Sequence, residues 1–264
     1  MAEYIIIILV SFLASVAGAI CGIGGGVIIK PVLDAAGIIP VNTISFLSGC
    51  TVLSMSVISV GRNLCGGSGA SFDKKTGTLL AAGGVLGGLL GKNLYQLVLS
   101  GLPDTQRVGA VQAAVLLLVT AGTLVYTLLK ERIRTRKVKS RGACLAIGLA
   151  LGIMSAFLGI GGGPINLVVL FYFFSMGTKQ AALYSLYIIL FSQLSSLFST
   201  IISGQVPDFS AKLIILMVLG GITGGLAGSA VNKKIREKQA DRLFIGLMVV
   251  IILINVYNIF KYIN

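Results

Sequence analysis

Apolar runs of about twenty residues or more follow one another along almost the whole of this 264-residue chain. A helix needs about 20 apolar residues to cross the roughly 30 Å hydrocarbon core of a membrane. The eight runs lie at 4–33, 43–60, 77–99, 108–129, 142–175, 180–202, 211–231 and 243–260. Only 11% of the residues are charged, compared with about 25% in soluble domains. The sequence therefore predicts an all-α polytopic membrane protein without a soluble domain.

The glycine motif GIGGG occurs twice, at 22–26 and at 159–163. The same offset of 137 residues relates two further glycine-rich segments, GGVLGGLLG from Gly83 and GGITGGLAG from Gly220. One ungapped offset therefore relates most of the two halves, which indicates an internal duplication.

The segment KERIRTRKVKSR at 130–141 joins the halves and contains seven Lys or Arg residues and one Glu. By the positive-inside rule this linker is cytoplasmic. We therefore predict a first transmembrane repeat at 1–129 and a second at 142–264. The net charge of +13 reflects this topology, and we expect no nucleic-acid partner.

Equivalent loops of the two halves differ in charge. The loop 231–242 has five basic residues, whereas its equivalent 92–107 has only Lys92 and Arg107, and 61–76 is basic whereas 203–210 has no basic residue. The halves are therefore expected to be inverted, with both termini outside. Inversion requires an odd number of crossings per half, so one of the four runs in each half must enter and leave on the same side. We predict two inverted repeats, each with a glycine-broken or re-entrant helical hairpin plus about three transmembrane helices.

The triple glycines are expected to turn the chain deep in the bilayer. Pro164 follows the second motif, and proline is favoured at the first position of a helix. The N-terminus of a restarting helix presents free N–H groups and a positive dipole end, which suit an anion. Two inverted halves would bring two such ends together near the midplane, as in secondary transporters. The alternative is close helix packing, which we favour for GGVLGGLLG and GGITGGLAG but not for the two GIGGG turns.

Hydroxyl side chains lie near one helical face in the run that follows each glycine motif. These are Ser45, Ser48, Ser56 and Ser59 in the first half and Ser185, Ser192, Ser196 and Ser199, with Gln193 beside them, in the second. Hydroxyls can donate to an anion, or they can instead bond to their own helix backbone.

Lys30 is a cation inside an apolar run. Such a residue is a functional candidate unless its side chain snorkels to the membrane surface.

Several chemistries lack suitable residues. The sequence has no histidine, and its carboxylates lie in expected loops or at segment ends, so we expect no metal site, no cofactor, no proton relay and no enzyme activity. The four cysteines follow no metal or disulfide spacing and are expected to be small buried residues.

The paired GIGGG motifs, the VIIKPVL that follows the first, the duplicated architecture and the basic linker resemble the TauE/SafE sulfite exporter family, also called the toluene-sulfonate uptake permease family. The resemblance covers nearly the whole chain. It implies transport of small sulfur-containing anions such as sulfite, sulfoacetate or organosulfonates across the bacterial cytoplasmic (inner) membrane. Family members differ in substrate and in direction.

The resemblance also implies that the motif glycines form substrate-facing turns, with Pro31 as the proline that commonly follows. The second half departs from that pattern, because Val168 occupies the position of Pro31 and its proline is Pro164. Asn166 could supply a donor there, as Lys30 does in the first half. The predicted substrate-binding residues are Gly22, Gly24, Gly25, Gly26, Lys30, Ser48, Gly159, Gly161, Gly162, Gly163, Asn166, Ser185, Ser192 and Gln193.

Together these features predict a transporter, with export as the favoured direction, that works by alternating access around a midplane site formed by the two GIGGG turns. One alternative is an anion channel. Another is a membrane thiol protein that handles sulfur species through Cys21, Cys50 or Cys65.

Overall fold

The computed structural model describes residues 2–65, 72–101, 105–160 and 162–263. Within these ranges the chain forms ten α-helices and one short 3-10 helix, and it forms no β-strand. The helices are α1 (Ala2–Cys21), α2 (Gly26–Ala36), α3 (Val41–Cys65), α4 (Lys74–Gly101), α5 (Thr105–Leu129), α6 (Arg141–Leu158), α7 (Pro164–Phe174), α8 (Thr178–Ile202), α9 (Ala211–Lys234) and α10 (Glu237–Ile263).

Seven of the described helices are long and apolar enough to cross a membrane, so the protein is a multi-pass membrane protein. They are α1, α3, α5, α6, α8, α9 and α10. The glycine-rich α4 is not among the seven, although it is 28 residues long.

Each half has the same order of elements: a helix pair broken at the glycine motif, followed by three long helices. The predicted break is therefore present in both halves. In the second half α6 has 18 residues and α7 has 11, which correspond to about 27 and 16 Å at 1.5 Å per residue. Helix α7 begins at Pro164, as the sequence predicts.

The helices of the two halves pack across each other in a reciprocal scheme. Helix α1 packs on α9 and α6 packs on α4, while α3 contacts α9 and α8 contacts α4. Helices α5 and α10 pack together, and so do α3 and α8. Because α6 to α10 occupy the sequence positions equivalent to α1 to α5, the same scheme results from either half.

The paired glycines of α4 and α9 allow these close approaches. A Cβ atom built on Gly87 would lie 2.1 Å from the carbonyl oxygen of Leu149 in α6, and one on Gly228 would lie 2.4 Å from the carbonyl oxygen of Val16 in α1. A side chain at either position would overlap the backbone of the neighbouring helix. These contacts fit the packing interpretation of the two glycine-rich segments.

The order of the glycine contacts gives the relative direction of the packed helices. Along α9, Gly220 lies against Ser11 and Gly228 lies against Val16, so the contact advances along both helices together. Along α4, Gly83 lies against Leu145 and Gly91 lies against Ile153. Helix α9 is therefore parallel to α1, and α4 is parallel to α6.

The linker is attached to the second half. The N–H of Arg136 donates to the carbonyl of Tyr172 at 2.7 Å, beyond the short 3-10 helix Lys130–Arg132. The Lys130 ammonium forms an ion pair with Asp241 at 2.7 Å, and the Thr178 hydroxyl donates to the same carboxylate at 2.7 Å. The linker thereby contacts the end of α7 and the beginning of α10, and Asp241 in turn contacts the beginning of α8.

Two of the loops expected from charge counting have different bounds. The prediction of a loop at 92–107 is wrong, because α4 continues through Lys92 to Gly101 and α5 begins at Thr105. The loop expected at 231–242 is short, since α9 ends at Lys234 and α10 begins at Glu237. Basic residues near a helix end mark a membrane side whether or not the helix has ended, so charge alone misplaces the boundary.

Candidate functional site

The two glycine turns meet in the interior of the protein. A Cβ atom built on Gly26, the first residue of α2, would lie 2.1 Å from the carbonyl oxygen of Ile160 in the second turn. The same atom would lie 2.9 Å from the hydroxyl oxygen of Ser48 on α3. The start of α2, the second turn and Ser48 are therefore in direct contact, and no side chain fits between them.

The contacts of Ser15 on α1 place the start of α2 at mid-depth. A Cβ on Gly25 would lie 3.2 Å from the Ser15 hydroxyl oxygen, and a Cβ on Gly224 would lie 2.6 Å from the Ser15 Cβ. Gly224 lies near the middle of α9 (Ala211–Lys234). The restarting helix therefore begins level with the middle of a membrane-length helix.

Equivalent glycines take equivalent positions in the two turns. Gly22 and Gly159 have φ angles of 75° and 64°, in the left-handed region that favours glycine. Gly22 lies against Ala182 on α8, and Gly159 lies against Ser45 on α3. Ala182 and Ser45 are themselves related by the offset of 137 residues. Gly161, also predicted to bind substrate, lies outside the described residues.

The backbone at the turns presents unused N–H donors. The first hydrogen bond of α2 runs from Ile28 to the carbonyl of Gly25 at 3.0 Å, and that of α7 from Asn166 to Gly163 at 3.1 Å. Within the described ranges, the N–H groups of Gly24, Gly25, Gly26 and Gly163 donate to no protein acceptor. Such groups carry the positive end of the helix dipole.

Three of the predicted polar residues are buried beside these turns without a hydrogen-bond partner among the described residues. Ser48 and Ser185 are fully buried and Asn166 is 1% exposed. A buried polar group without a hydrogen-bond partner lowers the stability of the folded protein by about 1–3 kcal/mol. The protein therefore keeps three destabilising polar groups beside the glycine turns.

Ser185 and Asn166 can be located by their neighbours. Ser185 lies on α8 between Ala182, which contacts Gly22, and Ile189, whose side chain approaches Gly162. These three α8 positions share one helical face. The Asn166 amide nitrogen would lie 3.4 Å from a Cβ on Gly162. Both side chains therefore lie beside the glycine turns, as Ser48 does beside Gly26.

Lys30 is buried, with 4% of its surface exposed, so its side chain is enclosed by the protein and does not extend to the protein surface. Its ammonium donates to the carbonyl oxygen of Leu158, the last residue of α6, at 2.8 Å and also to the side-chain oxygen of Gln112. The Gln112 amide in turn donates to the carbonyl oxygen of Phe157 at 2.8 Å. The C-terminal end of a helix carries a partial negative charge. Lys30 and Gln112 therefore stabilise the C-terminal end of α6, directly before the second turn.

Gln112 is not among the residues predicted from the sequence. The available signal was a lone amide side chain inside the apolar run 108–129, a position where a polar group needs a partner. Lys30 uses two of its three ammonium donors in these contacts.

The remaining predicted residues have other surroundings. The Ser192 hydroxyl donates to the carbonyl of its own helix at Ile189, 3.2 Å away, as the backbone alternative expects. Gln193 lines a cavity of about 240 Å³ that reaches Gly159 at the second turn. Ser192 and Gln193 thus lie on the same helix as Ser185 but further along it.

The described cysteines are free thiols, with Cys21 and Cys144 buried and Cys50 partly buried. Cys65, which the thiol alternative also names, is the last residue of α3, and only its backbone is described. Within the described ranges no group of histidine, cysteine, aspartate and glutamate side chains is arranged to hold a metal ion.

Comparison with known proteins gives one family. The model of the family described as "Sulfite exporter TauE/SafE" matches residues 7–254. The chain is 23% identical to a Bacillus subtilis protein named "Probable membrane transporter protein YunE", an alignment that covers 98% of each sequence. No solved structure matches the chain with significance. A family match over almost the whole length includes both glycine turns and at least part of every long helix, and the chain therefore belongs to the TauE/SafE sulfite exporter family of membrane transporters.

Proposed function

We propose that this protein exports small sulfur-containing anions, such as sulfite, sulfoacetate or organosulfonates, across the bacterial cytoplasmic membrane. The observation that carries the proposal is the meeting of the two glycine turns at Gly26 and Ile160, beside the unpartnered side chains of Ser48, Ser185 and Asn166. The direction and the substrate class follow the family description, "Sulfite exporter TauE/SafE".

The chemistry of these groups suits an oxyanion. The helix starts supply N–H donors and positive dipole ends, and serine and asparagine supply neutral donors. Sulfite and sulfonate groups each present three oxygen acceptors on one sulfur, so several donors at a single point can be satisfied together. No carboxylate of the described residues lies among these groups, so an anion meets no like charge there.

We further propose that residues 1–129 and 142–264 form two inverted repeats joined by the cytoplasmic linker 130–141. The difference in charge between equivalent loops supports this arrangement, and the parallel packing of α1 with α9 and of α4 with α6 is compatible with it. Helix α9 occupies the position equivalent to α4, so if α1 and α6 run in opposite directions, α4 and α9 do too. In this arrangement α4 also crosses the membrane, as its equivalent α9 does.

Each glycine turn packs against a helix of the other half, and this reciprocal packing supports alternating access. Gly22 lies against α8 and Gly159 against α3 at equivalent positions, so each half supports the turn of the other. A rocking of one half against the other would open the shared site to one side at a time.

Ligand-dependent stabilisation of the purified protein tests the function. Sulfite, thiosulfate, sulfate and small organosulfonates are added separately, with chloride as the control. A ligand that binds only the folded state stabilises it by about 2.7 kcal/mol at 100 times its Kd. We expect sulfite or a sulfonate to raise the unfolding midpoint and chloride not to do so. The proposal fails if none of the sulfur oxyanions shifts the midpoint or crosses the membrane of proteoliposomes.

Flux measurements separate the alternatives. Saturable sulfite flux with counter-flow is expected of a carrier, whereas a channel gives unsaturated flux without counter-flow. A variant with all four cysteines replaced by serine should keep its flux, since the proposed site contains no thiol. Complete loss of flux in a folded cysteine-free variant would instead favour the thiol protein.

A further inference from the structure

A cavity of about 240 Å³ lies between α3, α4, α8 and the end of α6. It extends from Gln205 and Pro207, in the segment between α8 and α9, to Ala156 and Gly159 at the second glycine turn. Ser45 lines it one helical turn before Ser48 on α3. The cavity therefore connects an end of the helix bundle with the proposed central site, and we call it the Lys92 cavity.

Lys92 gives this cavity a positive charge. Its ammonium lies 5.0 Å from the ring centroid of Tyr95, one turn further along α4. It forms no ion pair with any described residue, and none of the side chains that line the cavity is a carboxylate. Among the described residues, no carboxylate therefore neutralises this cation.

Tyr95 adds an unused hydrogen-bonding group. The residue is only 5% exposed and lines the cavity, and its hydroxyl has no partner among the described residues. A buried hydroxyl normally finds a partner. Lys92 and Tyr95 therefore bring a cation and an unused donor to the same side of the cavity, on α4.

The α8 residues that line the cavity and the cavity volume indicate which class of ligand fits. Gln193 and Ser196 of α8 contribute further donors. Pockets for drug-sized ligands measure about 300–1,000 Å³, so this cavity suits a small anion with some of its hydration water. Such a ligand is of the same class as the proposed substrate.

We propose that the Lys92 cavity is a second anion-binding site, at which a sulfur oxyanion binds the Lys92 ammonium and the Tyr95 hydroxyl before or after it occupies the glycine turns. The inference rests on the proposed function. The position equivalent to Lys92 in the second half is Ser229, whose hydroxyl donates to Gly225 at 2.7 Å. The charged site therefore belongs to one side of the protein, the side of the segment 203–210.

Sulfite flux in proteoliposomes tests the site with three variants. Lys92→Gln removes the charge, Lys92→Arg keeps it, and Lys212→Gln removes one exposed positive charge at the start of α9 as a matched control. We expect Lys92→Gln to raise the half-saturating sulfite concentration on the order of tenfold, since one partly screened charge is lost. Lys92→Arg should stay near the wild type, and Lys212→Gln should not change it.

A cysteine-substitution experiment determines the side. In the cysteine-free protein, Lys92→Cys is treated from one side with a membrane-impermeant thiol reagent that adds a quaternary ammonium, or with one that adds a sulfonate. We expect the ammonium to restore sulfite affinity only from the side of the segment 203–210, and the sulfonate to lower it. Equal effects of the two reagents would contradict the proposal.

The outcomes separate this proposal from the proposed function. Wild-type sulfite transport with Lys92→Gln equal to Lys212→Gln overturns the second site and leaves the central site standing. Absence of anion transport in the wild type overturns both. If Lys92→Gln fails to fold, Tyr95→Phe replaces it in the same assay, and an unchanged half-saturating concentration in that variant contradicts the proposal.

Discussion

The ammonium of Lys30, in the first half of the chain, donates a hydrogen bond to the carbonyl oxygen of Leu158 in the second half, over 2.8 Å. A residue of one glycine-broken helix pair therefore fixes the end of the other. This contact suggests that Lys30 positions the second turn as well as contributing charge to the site.

Replacing Lys30 separates these two roles. Lys30→Met leaves the Leu158 carbonyl and Gln112 without their partner, so we expect both thermal stability and sulfite affinity to fall. If the role is positional, calorimetry should show the same loss of affinity on both sides of the second ionisation of sulfite. A larger loss on the alkaline side, where sulfite is a dianion, would show that the ammonium acts mainly through charge.

Gly26→Ala is expected to abolish sulfite transport. The added Cβ would lie 2.1 Å from the Ile160 oxygen, a backbone atom that cannot move aside without displacing the second turn. Gly122→Ala in α5 is the matched control, because nothing lies within 4 Å of its Cβ. Flux and unfolding temperature are measured for both, and unchanged flux in Gly26→Ala would contradict the contact between the turns.

Ser48→Ala and Ser185→Ala should have opposite effects on stability and on binding. Removing an unpartnered buried hydroxyl is expected to raise the unfolding temperature of the free protein slightly. The additional stabilisation by sulfite should decrease, because a donor to the anion is lost. Ser229→Ala is the control, since its hydroxyl already donates to Gly225, and it should leave the sulfite effect unchanged.

Gly87→Leu tests the packing role of the paired glycines. The side chain would overlap Leu149 of α6, and overpacking typically costs about 1–3 kcal/mol. We expect a lower unfolding temperature, with any loss of transport proportional to the fraction unfolded. Transport loss in a variant of wild-type stability would show that Gly87 has a direct role in the pathway.

The inverted arrangement predicts the sidedness of single introduced cysteines. In a cysteine-free background, a cysteine at 135 or 235 should react from the cytoplasm, and one at 100 or 205 from outside. Impermeant thiol labelling of intact cells measures this. Reaction of positions 100 and 235 from the same side would contradict the inverted repeats.

Local patterns account for the parts of the fold that could be predicted. Three glycines followed by Pro164 are incompatible with a continuous helix, so the break was visible in the sequence. The matched offset of 137 residues also predicted that Ser48 and Ser185 occupy equivalent positions, and both are buried beside the turns.

Contacts between distant segments account for what was missed. Gln112 forms hydrogen bonds with Phe157 and with Lys30. These three residues are far apart in the sequence, so no local sequence pattern relates them. Lys92 was predicted to lie in a loop, but a lysine near the end of an apolar run can lie either in a loop or in the last turns of a helix. Its charge indicates the side of the membrane in both cases and does not distinguish them. The cavity beside it depends on four helices and has no signature in any one of them.

The packing of α1 on α9 has a consequence for synthesis in the cell. The ribosome completes α1 at Cys21 but reaches the first residue of α9, Ala211, about 190 residues later. At about 5–20 residues per second, α1 waits roughly 10–40 s for its main neighbour. During that time the face of α1 that carries Ser11 and Ser15 is without α9. We therefore expect chains truncated before residue 211 to leave α1 accessible to other membrane proteins and to quality-control proteases, even though the whole first half of the chain has been made.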